Sequence, residues 1–113
     1  MLMSEVITLP LPETTTSPTT DYRVMTEADL DRPYRVIIEN DDTTPMEFVV
    51  TVLRVIFVRS NEQAVAIMRE AHTAGRALVV MLPLREAQDR VYDAHSQARA
   101  AGYPLSFYLE PAD

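Results

Sequence analysis

The chain has no cysteine, no lysine and only two glycines. Without cysteine it can form no disulfide and no thiolate-ligated zinc site, and it has no cysteine nucleophile. The sequence also contains no glycine-rich loop of the kind that cradles phosphates. No apolar run approaches the roughly 20 residues that cross a bilayer. The sequence therefore predicts no transmembrane segment and no membrane partner.

The charge balance is acidic, because ten arginines stand against seventeen Asp and Glu residues for a formal net charge of -7. Such a surface repels phosphate backbones, so we expect no nucleic acid partner and favour cationic ligands. Hydrophobic residues make up 47% of the 113 residues, which is enough for the core of one domain. No basic residue precedes Arg23, which makes the N-terminus a poor secretion signal. We expect a soluble, cytoplasmic protein.

Residues 1–33 differ in composition from the rest of the chain. They contain three prolines before residue 20 and a threonine-rich run at 14–20, which bury little apolar surface. Such a segment does not easily offset the entropy lost on ordering. We predict a flexible N-terminal arm over 1–33, with short local structure near Glu27–Leu30, and a folded domain over 34–113. Composition leaves open whether the arm is a plain tether or has a function.

The folded domain begins with signals for a strand, a turn and a helix. Tyr34–Glu39 is rich in β-branched and aromatic residues, which predicts a strand. The Asn-Asp-Asp-Thr cluster at 40–43 is typical of a turn. Thr44 and Glu47 have the spacing of a capping box, which predicts a mostly buried helix from Pro45 to about Val58.

A second capping box, formed by Ser60 and Gln63, predicts a helix that ends at Gly75. Residues 77–82 are apolar on both alternations, which predicts a central strand covered at least partly on both sides.

The third helix is predicted to start at Pro83 and to end at Gly102. Its predicted inner stripe consists of small and apolar residues: Leu84, Ala87, Val91, Ala94, Ala98 and Ala101. Leu105–Leu109 alternates as a last strand. The order β-α-α-β-α-β predicts an α+β fold, a compact sandwich with a three-stranded antiparallel sheet and three helices.

The chain has two histidines, and only one of them has a neighbourhood suited to a site. His95 lies among polar neighbours on the third predicted helix, and we interpret it as a plain surface histidine. His72 lies one helical turn after Met68, just before the stop at Gly75. It is either a helix-end histidine that bonds a terminal carbonyl or interacts with the helix dipole, or a site residue that meets the turn at 40–42.

The turn at 40–42 offers acceptor oxygens at the end of a strand. Two acids in a turn are usually solvated turn formers, and they are only a weak signal for a metal site. An ammonium group, with three donors and no acceptor, is the other cation that such a cluster suits. Met46, Val49 and Met68 would add an apolar wall beside it. That combination suits a polypeptide N-terminus with a bulky first side chain.

The same residues carry a resemblance to a known family. The similarity runs through Asn40 to Val50 (Asn-Asp-Asp-Thr-Thr-Pro-Met-Glu-Phe-Val-Val), Ala64 to Met68, His72, Gly75 to Ala77 and Gly102 to Leu105. In order and spacing this resembles ClpS, the N-degron adaptor of bacterial Clp proteases. The resemblance covers essentially Tyr34 to Glu110.

The resemblance implies an adaptor that binds proteins whose first residue is Leu, Phe, Tyr or Trp. The adaptor would deliver them to the unfoldase ClpA or ClpC for degradation by ClpP, without catalysis and without a cofactor or metal. Residues at the family's α-amino-binding positions are Asn40, Asp41, Asp42 and His72. Those at its side-chain pocket are Ile38, Thr44, Met46, Val49, Met68, Ala71 and Leu105. Met46 is at the gatekeeper position, and the N-terminal arm would enter the unfoldase pore.

Some positions depart from the family pattern, and two alternatives stay open. Glu39 stands where an apolar residue is usual, and Ala71 is smaller than the common residue. For docking to the N-terminal domain of the unfoldase, Arg90 keeps the expected positive charge, whereas Arg85 stands where an acid is frequent. A divergent ClpS-like module with another ligand or unfoldase is therefore one alternative. A small hydrolase or metal enzyme is the other, although the sequence has no nucleophile motif.

Overall fold

The computed structural model describes residues 7–9 and 23–112. In chain order the elements are β1 (Ile7–Leu9), β2 (Arg23–Met25), α1 (Glu27–Asp31), β3 (Pro33–Glu39), α2 (Met46–Val55), α3 (Asn61–Ala74), β4 (Arg76–Pro83), α4 (Leu84–Ala100) and β5 (Ser106–Pro111). β1 and β2 form a small antiparallel pair, and a three-stranded antiparallel sheet has the order β4-β3-β5. The predicted α+β fold is confirmed.

The core lies between the three-stranded sheet and the helices α2, α3 and α4. The residues that form it are contributed by every one of these elements. α4 approaches the sheet closely because Ala87, Ala94 and Ala98 on its inner face are small and fully buried. Val91 of the predicted stripe is only half-buried, and Ala101 is exposed because α4 ends at that residue.

The central strand is β3, which corrects the prediction for 77–82. β4 is an edge strand, and its apolar residues divide between two faces. Ala77 and Val79 are buried in the core, whereas Leu78 and Met81 are 45% and 55% exposed on the other side. A run that is apolar on both alternations therefore does not by itself show that a strand is covered on both sides.

Of the two predicted capping boxes, one is present. The amide of Gln63 donates to the Ser60 hydroxyl at 3.0 Å, and the Ser60 amide donates back to the Gln63 side chain at 3.0 Å. The box predicted at Thr44 is wrong, because α2 starts after Pro45 and has no side-chain cap. The Thr44 amide, which a capping box would donate to Glu47, donates instead to the Asp41 carboxylate at 2.6 Å, and the Thr44 hydroxyl donates to the same carboxylate.

α2 also ends earlier than predicted, at Val55 instead of Val58. The chain leaves the helix at this point, and Phe57 enters the core with its side chain buried. Val58 then takes a positive φ of 55°, which is uncommon for a β-branched residue. The turn brings the chain to Ser60, the N-cap residue of α3.

The N-terminal region contains more regular structure than composition predicts. Besides the β1–β2 pair, α1 forms near Glu27–Leu30, where short local structure is predicted, and Thr26 caps it. Leu30 is buried, and the amide of Leu84 donates to the carbonyl of Arg32 at 2.8 Å. Residues 1–6 and 10–22 lie outside the described residues, so flexibility of the arm stays a prediction. No helix in the described part is long and apolar enough to cross a membrane.

Candidate functional site

A cavity of about 130 Å³ opens where β3 ends, between the following turn and the helices α2 and α3. Its lining residues are Ile38, Glu39, Asn40, Asp41, Asp42, Thr44, Met46, Val49, Met68, Ala71, His72 and Leu105. Every residue predicted for the amino-binding set and for the apolar pocket is among them. Glu39 is the addition. Segments far apart in sequence thus contribute to one cavity.

The apolar part of the lining is buried and comes from four parts of the fold. Ile38 is on β3, Val49 on α2 and Ala71 on α3, while Leu105 precedes β5. Met46, in the first turn of α2, is 54% exposed and lies at the rim. An apolar cavity of about 150 Å³ holds a benzene ring in another protein. The cavity here has a similar size, so it suits a single large apolar side chain.

Three polar side chains at the rim are exposed and available to a ligand: Asn40, Asp42 and His72. Within residues 7–9 and 23–112, no hydrogen bond or ion pair engages any of them. The described part of the chain contains no hydrogen bond from His72 to a terminal carbonyl, whereas its place in the last turn of α3 also suits the helix dipole. The free acceptor atoms of this rim are therefore not used by the fold.

The backbone brings His72 and Asn40 to the same place. The Asn40 amide donates to the Gly75 carbonyl at 3.0 Å, which joins the end of β3 to the turn after α3. Gly75 has a φ of 93°, in the left-handed region, and its amide donates to the Ala71 carbonyl at 2.8 Å. This turn reverses the chain three residues after His72, so the last turn of α3 lies beside the end of β3.

Asp41 differs from its two neighbours because its carboxylate is already used. One oxygen accepts from the amides of Thr43 at 2.8 Å and Thr44 at 2.6 Å, and the other accepts from the Thr44 hydroxyl at 2.9 Å. The solvated-turn interpretation of the cluster therefore applies to Asp41. Its contribution is to fix the turn that presents Asn40 and Asp42.

The rim carries negative charge that no described cation neutralises by direct contact. Arg76 lies opposite Glu39 in the β3–β4 ladder, but its guanidinium donates to the Tyr108 hydroxyl and pairs with Glu110 at 3.8 Å. The hydrogen bond to Tyr108, followed by Glu110 and Glu39, raises the pKa of Arg76. Among the described residues no group of three or more His, Asp or Glu side chains is placed to hold a metal ion.

The two predicted docking arginines lie outside this cavity, and they contact different parts of the fold. Arg90 donates to the Ile56 carbonyl and to the Glu86 carboxylate, the latter at 2.9 Å. It lines a cleft of about 380 Å³ with Val55, Ile56, Glu86, Asp89 and Asp93. Arg85 pairs with Glu27 of α1 at 3.5 Å, and both side chains are largely exposed.

His95 is not a plain surface histidine, so that prediction was wrong. It is half-buried, and its Nε2 atom accepts a hydrogen bond of 2.9 Å from the Phe107 amide. Burial, followed by the positive charge of Arg99, lowers the pKa of His95. The sequence held one signal for this position, because His95 directly follows Ala94 in the inner stripe of α4. It also follows the half-buried Val91 by four residues and precedes Ala98 by three, spacings that share one helix face.

Comparison with known proteins identifies the family. The family model for the ATP-dependent Clp protease adaptor protein ClpS matches residues 29–108. The chain belongs to the ClpS family. The resemblance seen in the sequence is thereby confirmed.

Relatives of this ClpS-family chain support the same assignment along most of its length. It is 43% identical to the ATP-dependent Clp protease adapter protein ClpS 2 of Mesorhizobium japonicum, over 91% of this chain and 100% of that protein. It is 40% identical to ClpS of Oleidesulfovibrio alaskensis, over 80% of this chain and 88% of that protein. The solved structure of Agrobacterium tumefaciens ClpS2 bound to L-phenylalaninamide matches with a TM-score of 0.68 and 37% identity, covering 72% of this chain and 98% of that one.

Proposed function

We propose that the protein binds the free N-terminus of proteins whose first residue is Leu, Phe, Tyr or Trp. It then delivers them to the ClpA or ClpC unfoldase for degradation by ClpP, and it catalyses no reaction itself. The observation that carries the proposal is the cavity at the end of β3. There, unused acceptors at an acidic rim adjoin a buried apolar space of the size of one large side chain.

The rim suits a free α-amino group. An ammonium has three N–H donors and no acceptor, so it binds best where acceptors surround it. Asn40 supplies an amide oxygen, Asp42 a carboxylate and His72 a ring nitrogen in its neutral form. An acetylated N-terminus lacks the charge and two of the donors, and the rim offers it little.

The apolar part of the cavity suits the first side chain. The matched Agrobacterium tumefaciens ClpS2 structure contains L-phenylalaninamide, a ligand with both a free amine and a phenyl side chain. In this chain a phenyl ring would lie among Ile38, Val49, Ala71 and Leu105. Met46 at the rim would act as the gatekeeper that excludes β-branched first residues.

The energetics support an affinity near the micromolar range. Burial of the first side chain contributes about 1.5–3 kcal/mol. Hydrogen bonds to a charged group contribute about 1.5–3 kcal/mol each. Association costs of at least about 4 kcal/mol oppose both contributions. With one hydrogen bond from each of the three rim groups, the upper end of the binding free energy is about 8 kcal/mol, which corresponds to a Kd of about 1 μM.

The test is a titration with labelled peptides that differ in the first residue alone. Fluorescence anisotropy would compare Leu, Phe, Tyr and Trp with Ile and Met, and an N-acetylated Phe peptide serves as the matched control. We expect binding of the first four, weak binding of Ile and no binding of the acetylated peptide. Equal affinity for all peptides, or for none, would contradict the assignment.

Two lining residues favour a second candidate, a ClpS-like module with a different ligand preference. Glu39 adds a carboxylate to the cavity lining, and Ala71 presents only a methyl group there. A first residue outside the expected four that binds most tightly in the same titration would support this candidate.

For delivery, Arg90 in its cleft is the proposed contact to the unfoldase N-terminal domain. Arg85 is the position at which partner choice between ClpA and ClpC would differ.

A further inference from the structure

The segment between α4 and β5 carries one wall of the cavity. Leu105 lies in this segment with its side chain 1% exposed. The ladder between β3 and β5 begins only at the pair Glu39 and Ser106, one residue later. Strand pairing therefore does not hold Leu105 itself. Its position depends on the contacts that the segment makes with α4.

Arg99 of α4 is the first of these contacts. Its Nη1 atom donates to the carbonyl of Tyr103 at 2.9 Å and to the carbonyl of Leu105 at 2.9 Å. One guanidinium thus satisfies two carbonyls that no strand partner takes. The Tyr103 ring packs edge-on against Phe48 with the centroids 4.9 Å apart, which joins the same segment to α2 next to Val49. The segment that carries Leu105 is therefore held by α4 through Arg99 and by α2 through Phe48.

His95, one turn earlier on α4, is the second contact. Its Nε2 atom accepts from the Phe107 amide at 2.9 Å, on the side of β5 that does not pair with β3. Only a neutral imidazole with its proton on Nδ1 presents that lone pair. Protonation of His95 removes the acceptor and turns one N–H toward another.

We propose that His95 and Arg99 are positioning residues for the cavity. They hold the segment from Tyr103 to Phe107 so that Leu105 stays in the wall, and protonation of His95 releases part of this hold. The affinity for an N-terminal ligand then falls in acid. This consequence for binding rests on the proposed function, because it takes the cavity to be the place where the first side chain lies.

The surroundings of His95 set the direction of the effect. Arg99 is the charged group that acts on it from its own helix, and β5 presents the uncharged Phe107 ring, with the two ring centroids 6.0 Å apart. Burial and Arg99 both lower the pKa of His95, so the neutral form persists below the usual value of about 6.5. The hold on Leu105 is complete at neutral pH and is weakened only as the pH falls below that value.

The first test compares the wild-type protein with the His95→Gln variant. Glutamine offers an amide oxygen to the Phe107 amide and does not titrate. Kd for a peptide that begins with Phe is measured for both proteins from about pH 7.5 to about pH 5. The ratio of the two Kd values cancels every other effect of pH that the two proteins share. We expect a pH-independent ratio near neutrality and a relative loss by wild type of about threefold to tenfold in acid. A constant ratio would overturn the proposal.

The second test needs no ligand. NMR of the free wild-type chain follows the Leu105 methyl signals and the His95 ring through the same pH range. We expect the methyl signals to move with the midpoint of His95, and to stay fixed in His95→Gln. Leu105 signals that ignore the His95 titration refute the proposal even if a variant fails to fold. Signals that move in a protein that binds no peptide at neutral pH contradict the proposed function alone.

Arg99→Met tests the other contact. Methionine keeps an unbranched apolar stem and loses both bonds to the carbonyls of Tyr103 and Leu105. We expect Kd to rise about threefold to tenfold at every pH, with shifted Leu105 methyl signals. Unchanged affinity and unchanged signals would remove Arg99 from the positioning pair.

Discussion

At the scale of single residues, the neighbours Asp41 and Asp42 have the same side chain and different environments. The carboxylate of Asp41 accepts three hydrogen bonds within the turn, whereas that of Asp42 is exposed and unused among the described contacts. The Asp41 carboxylate therefore stabilises the turn, whereas the Asp42 carboxylate is available to a ligand. Nothing in the order Asn-Asp-Asp distinguishes them, because both spacings fit an Asx turn.

Asp42→Asn removes a negative charge from the rim and keeps the size of the side chain. We expect the affinity for a peptide that begins with Phe to fall about tenfold, since a hydrogen bond to the ammonium loses its charge assistance. The free energy of unfolding should change by less than about 0.5 kcal/mol, because Asp42 makes no contact that the fold needs. Peptide titration and urea denaturation measure the two quantities.

Asp41→Asn is the matched control. It should lower the free energy of unfolding by about 1–2 kcal/mol, because an amide has one acceptor oxygen where the carboxylate uses two. An Asp42→Asn protein with wild-type affinity would exclude Asp42 from the site. Loss of stability in Asp42→Asn and not in Asp41→Asn would reverse the roles assigned to the two residues.

At the scale of secondary-structure elements, the turn from α3 to β4 decides where His72 lies. Gly75 has a φ of 93°, and a Cβ placed there would meet nothing within 4 Å. The requirement for glycine is therefore conformational and not steric. Because the Gly75 carbonyl also accepts from Asn40, a change in this turn acts on the two rim residues together.

Gly75→Ala should lower the free energy of unfolding by about 1–2 kcal/mol, because alanine is strained in the left-handed region. It should also weaken peptide binding, since relief of the strain displaces the carbonyl that holds Asn40. Ser60→Ala is the matched control, because it removes the capping box at the other end of α3 and should cost about 0.5–2 kcal/mol of stability. It should leave the affinity unchanged, since Ser60 is not part of the cavity lining. An equal loss of affinity in both variants would mean that the effect on binding is global.

The elements show what sequence reasoning could predict. Ser60 and Gln63 form the expected capping box because both partners are local, and Gly75 and Gly102 end their helices as expected. Thr44 has the same local signal, but the competing carboxylate of Asp41 takes its amide, which the box would donate to Glu47. Local patterns predict a cap only where no stronger partner is close.

At the scale of the whole molecule, the N-terminal region divides into a part that supports the domain and a part that precedes it. Leu30 of α1 is buried, and the segment after α1 bonds to the start of α4. The family match also begins at residue 29, inside α1. The domain therefore starts earlier than the composition change at 33 indicates.

Deletion of residues 1–25 keeps α1 with its Thr26 cap and removes the proposed delivery arm. We expect peptide affinity to stay within about twofold of that of the full chain, well inside the tenfold that 1.4 kcal/mol represents. Degradation of an N-degron substrate by ClpP with ClpA or ClpC should be lost. Deletion of 1–31 is the comparison, and it should also lower the free energy of unfolding by about 1.5–3 kcal/mol through the loss of Leu30. Loss of peptide binding in the shorter deletion would contradict the arm proposal.

The candidate site as a whole could be predicted only through the resemblance. The contacts between elements that surround it could not be predicted from the sequence. The chemistry of the turn at 40–42 suits an ammonium ligand, but it leaves metal binding and ordinary solvation as open alternatives. The contact of His95 with Phe107 joins α4 to β5, and no spacing along the chain encodes it. The placement of β4 at the sheet edge likewise depends on strand order, which residues 77–82 do not contain.

The alanines of α4 have a consequence for how this protein can change over evolution. Ala87, Ala94 and Ala98 are fully buried, so larger side chains there would push the helix off the sheet and disturb the segment that carries Leu105. The opposite side of the same helix, with Glu86, Asp89 and Asp93, is free of that constraint. Substitutions can therefore accumulate on the outer surface, which carries the proposed unfoldase contact, while the inner surface preserves the cavity that is proposed to select the ligand.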